Sequence, residues 1–517
     1  MLLATLGAGL LMAALALAVF SSALSFWSGR RGDDLLAWAG RRGLYATAGC
    51  VVAASACLLA ALLSHDFVVA YVAEHTDRQT WTPLLAASFY GGEEGSLLYW
   101  TLILSILGAA SLAASRHARQ PLPAYAAGVL GALLTFFLMV MVFVSSPFAV
   151  LSFVPADGAG LNPILRDGGM LVHPPFLLAG FSAFAIPFVF AMAALLAGRG
   201  DAAWIAHTRR VALLAWGLQS VGLTLGMWWA YHVLGWGGYW GWDPVENVAL
   251  LPWLATTAYI HSAQVQERRG MLKSWNFGLV ILAFCLSIFG TFVVRSGVIQ
   301  SVHSFAVSSV GPWFLGFLAV CVAGSGAALA GRSRLLRSGR GLDSPVSREG
   351  AFLLQNLLFV GLVAAIFWGT VLPLVSSAVA GRQEVVNPSF YERVSGPLFL
   401  ALLALLAVGP LLPWRRAGGA WRRNLQYPLP AAAGTLVALL AAGERQPAVL
   451  AAMPILVAAL TTSVMEYVRG ARFAARLPGA WAPAALRLLA RNRRRYGAYL
   501  AHIGIVVAAA GIAGSHL

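Results

Sequence analysis

Charge is what this sequence has least of. Asp, Glu, Lys and Arg make up 10% of its 517 residues, where a soluble globular domain carries about 25%. With 59% of the residues hydrophobic, this scarcity excludes an ordinary soluble domain and points to a polytopic membrane protein. Cysteine is scarce too. Cys50, Cys57, Cys285 and Cys321 all fall inside apolar segments and none forms a CxxC. That excludes a disulfide framework or a thiol redox motif and leaves four small buried hydrophobes. A secretory leader is not expected of the first segment either. The first apolar segment has no positive residue before it and GRRGDD after it, the reverse of a signal peptide. It reads as a retained span with an external N-terminus. The net charge of +16 does not imply nucleic acid, because membrane proteins concentrate Lys and Arg on their cytoplasmic side.

What the chain has instead is long apolar runs. A helix needs about 20 apolar residues to cross a bilayer. Candidate spans fall at about 3–25, 43–63, 96–115, 122–145, 175–197, 211–231, 248–263, 276–294, 311–331, 350–375, 395–413, 428–443, 449–468 and 496–514. The expected fold class is an all-α polytopic integral membrane protein, one membrane domain over 1–517 with about fourteen transmembrane helices and both termini external. Strict alternation from an external N-terminus puts 29 of the 35 Lys and Arg on the cytoplasmic side. That split agrees with the rule that positive residues mark cytoplasmic loops.

The external side then holds the long connections, where functional loops are concentrated. Residues 64–95 include FYGGEEGS, residues 146–175 include LNPILRDGGMLVHPP, and residues 295–310 include RSGVIQSVHSFA. Between the last two, in an external loop at 232–250, lies GWGGYWGWDPVEN. Its Trp236, Tyr239, Trp240 and Trp242 with interspersed glycines suit either a floor for a large flat ligand or an interfacial aromatic belt. Asp243 and Pro244 are placed to start a helix as N-cap and first residue. Glu246 reads as a first-turn acid complementing the helix dipole.

The ten histidines sort by depth. His117 and His207 lie among cytoplasmic arginines, whereas His65, His75, His173, His232, His303 and His516 are external. His261 and His502 lie inside spans, where an ionisable group usually marks function. Each is about two turns from the nearest cytoplasmic arginines, so both sit roughly 10 Å inside that boundary at 1.5 Å per residue. Two imidazoles at equal depth suit the axial positions of a haem between helices, or two unrelated interhelical hydrogen bonds. His173 and His303, each just before a span, flank the Trp-rich loop as a second candidate pair. Arg295, eight residues before His303, is placed either for a haem propionate or as a snorkelling interface residue.

Together these segments resemble the CcmF-type cytochrome c haem lyases. WGGYWGWDPVENVALLPWLATTAYIH at 236–261 is similar to the tryptophan-rich WWD signature of haem-handling proteins. LNPILRDGGMLVHPP, VRSGVIQSVHSFA and GGEEGSLLYW are similar to CcmF-type motifs in the same order. The NrfE-type lyases share the pattern, and both types stay open here. The resemblance implies that His173 and His303 are axial ligands of an external haem substrate. That haem is delivered by a CcmE-type chaperone and lies on Trp236, Tyr239, Trp240, Trp242 and Asp243. It implies that His261 and His502 are axial ligands of a membrane-embedded haem b, which serves as redox centre; a quinol is compatible with that electron flow. The implied activity is haem lyase, or holocytochrome c synthase: joining haem vinyl groups to the CxxCH thiols of apocytochrome c, with a CcmH-type apocytochrome-handling subunit as a further partner. The implied location is the lipid of a bacterial cytoplasmic (inner) membrane, with the active face external (periplasmic). The chain has no CxxCH of its own, as expected of a protein that makes c-type haem rather than carrying it.

Two departures stand out. Tyr239 occupies a position where the family usually has Trp. Family members also continue past the second membrane histidine into an external domain and a last span, whereas here 15 residues follow His502. No catalytic acid–base dyad is visible, so the protein's share of the chemistry is expected to be positioning. A haem exporter or a haem-binding membrane transporter is the rival class. Such carriers place charges and broken helices near the midplane, and these spans are almost free of acids.

Overall fold

The computed structural model describes residues 1–115, 121–235, 238–299, 301, 309–339, 341–382, 384–415, 420–475 and 488–515. His117, Trp236, His303 and His516 lie outside the described residues. Among the described residues the structure is all-helical, with one isolated bridge between Val69 and Val150 and no strand. Every one of the fourteen apolar segments lies on a helix. Among the described residues, twelve helices are long and apolar enough to cross a membrane. Two fall short of that measure, for different reasons. Pro244–Arg269 has 26 residues but ends in Gln266, Glu267, Arg268 and Arg269. Pro428–Ala441 has 14 residues, about 21 Å at 1.5 Å per residue. All four cysteines are free.

The chain folds as two compact units. One comprises Met1–Leu234, Trp242–Gly339 and Thr370–Val385; the other comprises Gly235–Gly241, Arg340–Gly369 and Val386–Leu517.

The first unit opens with an antiparallel helix pair, Leu2–Arg31 and Asp34–Leu63. Gly32 ends the first helix in the left-handed region at φ 73°, and the Asp33 carboxylate caps the second by accepting from Leu35 N and Leu36 N at 2.9 and 3.1 Å. Buried Ser21 and Ser25 face Gly43 and Gly40 so closely that a methyl group at either glycine collides. Apolar lipid gives helices little hydrophobic reason to associate, so small residues that admit close backbone approach hold such pairs together.

The connections at 64–95 and 146–168 fold against each other rather than standing apart as loops. Beside the Val69–Val150 bridge, Ala70 N donates to Ala149 O at 2.9 Å and Leu151 N to Val68 O at 3.0 Å. Arg78 N donates to Asp157 Oδ1 at 2.9 Å, and Arg166 pairs with Asp77 at 3.2 Å. Ala87, Leu161, Leu165 and Met170 form an apolar cluster under this cap, with Trp229 packed against it. The cap therefore fixes where the helix Gly169–Leu196 begins.

In the second unit, Leu456, Ala459, Ala407 and Val506 form a core between the helices Pro388–Val408, Pro447–Ala475 and Arg493–Ser515.

Candidate functional site

His173 lies in the second turn of the helix Gly169–Leu196, not in a loop ahead of it as the sequence suggested. Two prolines follow it, Pro174 and Pro175, both inside the helix. Pro175 has no N–H, so the Leu171 carbonyl loses its normal helical donor. The Tyr90 hydroxyl takes that place and donates to Leu171 O at 3.3 Å, while the Tyr99 hydroxyl donates to Pro175 O at 3.2 Å. Burial, followed by the neighbouring Tyr99, pushes the Tyr90 phenol up to about 12, so it stays a neutral donor.

The His173 ring crosses to the helix Ala203–Val233, where Nδ1 lies 2.8 Å from Gly222 O. A carbonyl only accepts, so Nδ1 carries the proton. In the neutral ring Nε2 then holds the lone pair, the arrangement that orients a histidine metal ligand. Close approach makes this contact feasible. A Cβ at Gly226 would stand 2.7 Å from His173 Cε1, and one at Gly222 would stand 2.8 Å from the Leu177 backbone. Gly222 and Gly226 thus form a GxxxG contact surface. Trp229, one turn beyond Gly226, sits with its ring centroid 5.6 Å from that of His173 and packs over Gly169.

The Trp-rich loop leads into the helix Pro244–Arg269 as the sequence indicated. Asp243 is the N-cap and Pro244 the first residue. Val245 N donates to Asp243 Oδ2 at 3.0 Å, and Asp243 N donates to Glu246 Oε2 at 3.2 Å, completing a capping box. Glu246 is therefore a structural first-turn acid. Trp242 takes the left-handed backbone in this loop, at φ 56°. Such a conformation costs a non-glycine residue roughly 1–2 kcal/mol. Asn247, fully buried, donates its side-chain amide to Trp242 O at 3.2 Å and holds the turn. Trp240 is buried and Tyr239 half-buried.

His303 is outside the described residues, but the segment leading to it is tied to this loop. Ser301 Oγ donates to Asp243 Oδ2 at 2.6 Å. Arg295 is buried at the end of its helix rather than snorkelling. It is 8% exposed, and its guanidinium donates to Glu93 O at 3.1 Å and to Ser96 Oγ at 2.7 Å. It locks the end of the helix Lys273–Ser296 to the GGEEGS turn. Gly92 and Gly95 of that turn admit His75 and Tyr71 at distances no side chain there would tolerate.

His261 lies on the helix Pro244–Arg269, with Nδ1 2.8 Å from Thr257 O. Here too the carbonyl directs the ring, leaving the neutral ring's lone pair on Nε2. A closed cycle of hydrogen bonds stands one turn away. Trp216 Nε1 donates to Thr257 Oγ1 at 2.9 Å, Thr257 Oγ1 to Trp253 O at 2.7 Å, Trp253 Nε1 to Ser220 Oγ at 2.7 Å, and Ser220 Oγ to Trp216 O at 2.7 Å. The indoles of Trp216 and Trp253 stack at 6.0 Å. On the other side of His261, Asn276 donates to Gln266 Oε1 at 2.8 Å and meets Ser262. His502 belongs to the second unit. Tyr499 lies edge-on at 6.4 Å, its hydroxyl 3.4 Å from Glu466 Oε2. Arg495 and Arg469 bind the same carboxylate at 3.0 and 3.1 Å.

Sequence reasoning did not find Gly222, Gly226, Tyr90, Tyr99, Ser301, Asn247 or Thr257. Only the Gly222–Gly226 pair carried a signal, a GxxxG inside an apolar run.

The family described as "Cytochrome C assembly protein" matches residues 90–300, which hold His173, the Trp-rich loop, His261 and Arg295. The cytochrome c-type biogenesis protein CcmF of Pseudomonas aeruginosa is 39% identical over 506 residues, covering 97% of this chain and 76% of its own length. That of Escherichia coli is 37% identical over 422 residues, 81% of this chain and 65% of its own. NrfE of Haemophilus influenzae is a more partial relative, 35% identical over 66% of this chain and 54% of its own. Among solved structures, "Cytochrome c Heme Lyase CcmF" superposes with a TM-score of 0.78 at 33% identity, covering 98% of this chain and 76% of that one. With a multi-pass helical fold and this identity along nearly its whole length, the chain belongs to the CcmF family of cytochrome c-type biogenesis proteins.

Proposed function

We propose that the chain is a cytochrome c haem lyase of the bacterial inner membrane. It holds chaperone-delivered haem on its external face and promotes attachment to the CxxCH cysteines of apocytochrome c. The observation that carries this reading is the hydrogen bond from Ser301 to Asp243. It ties the segment leading into His303 to the end of the Trp-rich loop, while His173 is directed by Gly222 with its Nε2 as ligand nitrogen. In this reading His173 and His303 are axial ligands of the substrate haem, and Trp236, Tyr239, Trp240, Trp242 and Asp243 form its platform.

Each thioether forms when a cysteine S–H adds across a vinyl C=C. The S–C bond goes to one vinyl carbon and the hydrogen to the other, with no leaving group. The protein therefore needs no nucleophilic residue of its own, and its contribution is positioning and exclusion of competing geometries. Asp243 fixes the helix entry, Asn247 fixes the Trp242 turn, and Gly226 gives the His173 ring its room. Arg295, hydrogen-bonded to Glu93 and Ser96, braces the GGEEGS turn.

His261 and His502 would hold a membrane haem b, which when bound supplies an electron that keeps the substrate iron reduced. The carbonyl of Thr257 sets the His261 tautomer for that role. A CcmE-type chaperone, a CcmH-type subunit and apocytochrome c are the partners this activity requires. The test is cytochrome c maturation in cells carrying His173→Ala, His303→Ala or the Trp236/Trp240/Trp242 triple alanine replacement. Loss of covalent haem in each supports the reading; wild-type maturation in the triple variant sinks the platform.

A further inference from the structure

The external end of the helix Ala203–Val233 carries a second tie to the helix of His173. His232 donates Nδ1–H to Trp228 O on its own helix at 2.7 Å, and its Nε2 lies 3.6 Å from Asp167 Oδ2. The carbonyl accepts only, so the Nδ1 proton is already committed. Nε2 can meet a carboxylate favourably only if it carries a second proton, which makes the ring an imidazolium. With a neutral ring, a lone pair faces the carboxylate instead.

Asp167 is no bystander. Its Oδ1 accepts Gly169 N at 2.7 Å and its carbonyl accepts Met170 N at 3.1 Å, so it starts the helix on which His173 lies. Trp229, three residues before His232, rests on Gly169 and against the His173 ring. Asp167 is the charged group paired with His232 among the described residues; the neighbouring Arg166 is turned away to Asp77 and to Leu161 O. His232 and Asp167 have side chains 39% and 30% exposed, so the proton exchanges with solvent.

We propose that His232 and Asp167 form a charge-dependent clamp that positions His173, closed by the imidazolium and released by the neutral ring. His232 does not touch haem; it is a positioning residue. The proposal rests on the reading of His173 as a ligand of external haem, and the experiment separates the two.

The full chain in detergent is titrated with ferric haem from about pH 5.5 to 8.5, across the imidazole range. Soret difference spectra give affinity, and electron paramagnetic resonance gives the low-spin fraction at the added site. Wild type, His232→Arg and His232→Gln are compared. The wild type is expected to lose affinity about fivefold as pH rises, the size of a half-exposed ion pair. His232→Arg, charged throughout, keeps the acid-side affinity at every pH. His232→Gln shows the weaker affinity at every pH, and if it fails to fold, the contrast between wild type and His232→Arg carries the test. Parallel profiles for wild type and His232→Arg overturn the clamp and leave the site standing. Absence of low-spin binding in wild type at any pH overturns the site and the clamp with it.

Discussion

Ser301 and Asp243, 58 positions apart, share a hydrogen bond of 2.6 Å in which the serine hydroxyl donates to the carboxylate. The same oxygen accepts Val245 N at 3.0 Å and starts the helix Pro244–Arg269. One atom thus joins the Trp-rich loop, the helix of His261 and the segment leading to His303. Ser301→Ala removes one of the three connections and leaves the cap. It should weaken external haem binding several-fold while lowering stability by about 1 kcal/mol, the net worth of one hydrogen bond. Asp243→Ala removes cap and tie together, adding about 1 kcal/mol for the cap. Haem titration beside thermal unfolding separates the two effects; equal haem affinity in Ser301→Ala and wild type would dismiss the tie.

Gly226 is the position where a single methyl group should act on a ligand without touching haem. Its Cβ would stand 2.7 Å from Cε1 and 2.9 Å from Nδ1 of His173. The ring must tilt or the helices must part, and overpacking of this kind costs roughly 1–3 kcal/mol. Gly226→Ala should lower the low-spin fraction of added haem more than it lowers the unfolding temperature. Gly217 on the same helix has open space at its Cβ. Gly217→Ala is therefore the control that should leave both measurements close to wild type.

How much of this was legible in advance depended on how local each interaction is. The helices followed from apolar runs, because lipid leaves a helix as the simplest way to satisfy the backbone. The cap at Asp243, Pro244 and Glu246 was legible for the same reason, since its partners lie within three residues. Nothing local announces that His173 meets Gly222, 49 residues on, or that Arg295 meets Ser96 across 199 residues. Arg295 stayed open between readings because an arginine at a span's end looks the same in sequence whether it snorkels, binds a ligand or braces a buried turn. Trp242 was unreadable for another reason. Glycine-rich sequence suggests glycine in the left-handed region, yet the turn puts Trp242 there and holds it with Asn247.

Tyr90 and Pro175 make a pair whose double variant should behave better than one of its singles. The Tyr90 hydroxyl serves the Leu171 carbonyl that Pro175 cannot. Tyr90→Phe leaves that carbonyl without its donor, at a cost of about 1–3 kcal/mol if it stays buried. Pro175→Ala restores a backbone N–H four residues after Leu171. Thermal unfolding should therefore show Tyr90→Phe destabilising and Pro175→Ala rescuing much of the loss. Strict additivity in the double variant would show that the hydroxyl does not stand in for the amide.

The cap formed by residues 64–95 and 146–168 should loosen in acid. The Thr80 hydroxyl, then the Gln79 amide and Arg166, hold the half-buried Asp77 carboxyl below its usual value. A carboxyl depressed in the folded state contributes stability above its unfolded value of about 3.9, and loses it as pH falls through the folded value. Asp77 also binds Arg166, which joins residues 64–95 to 146–168. Pepsin cleavage within 146–168 should rise as pH drops below about 4, and Asp77→Asn should raise cleavage already at the upper end of that acid range.

The membrane pair gives the sharpest spectral prediction. Thr257 directs His261 from its own helix, and Trp216 engages the Thr257 hydroxyl from the helix Ala203–Val233. In the second unit, His502 lies one turn from Tyr499 and two turns from Arg495, which pairs with Glu466. If both histidines ligate one haem b, the dithionite-reduced protein shows a low-spin b-type spectrum, and His261→Ala and His502→Ala each abolish or weaken it. Thr257→Val removes the hydroxyl and keeps the backbone carbonyl. It should therefore retain the haem, and shift its reduction potential only through the lost hydroxyl contacts to Trp216 and to the Trp253 carbonyl. An unchanged spectrum in both alanine variants would reject the ligand pair. Loss in one variant alone would reassign the second axial position to a residue other than the histidine that proved dispensable.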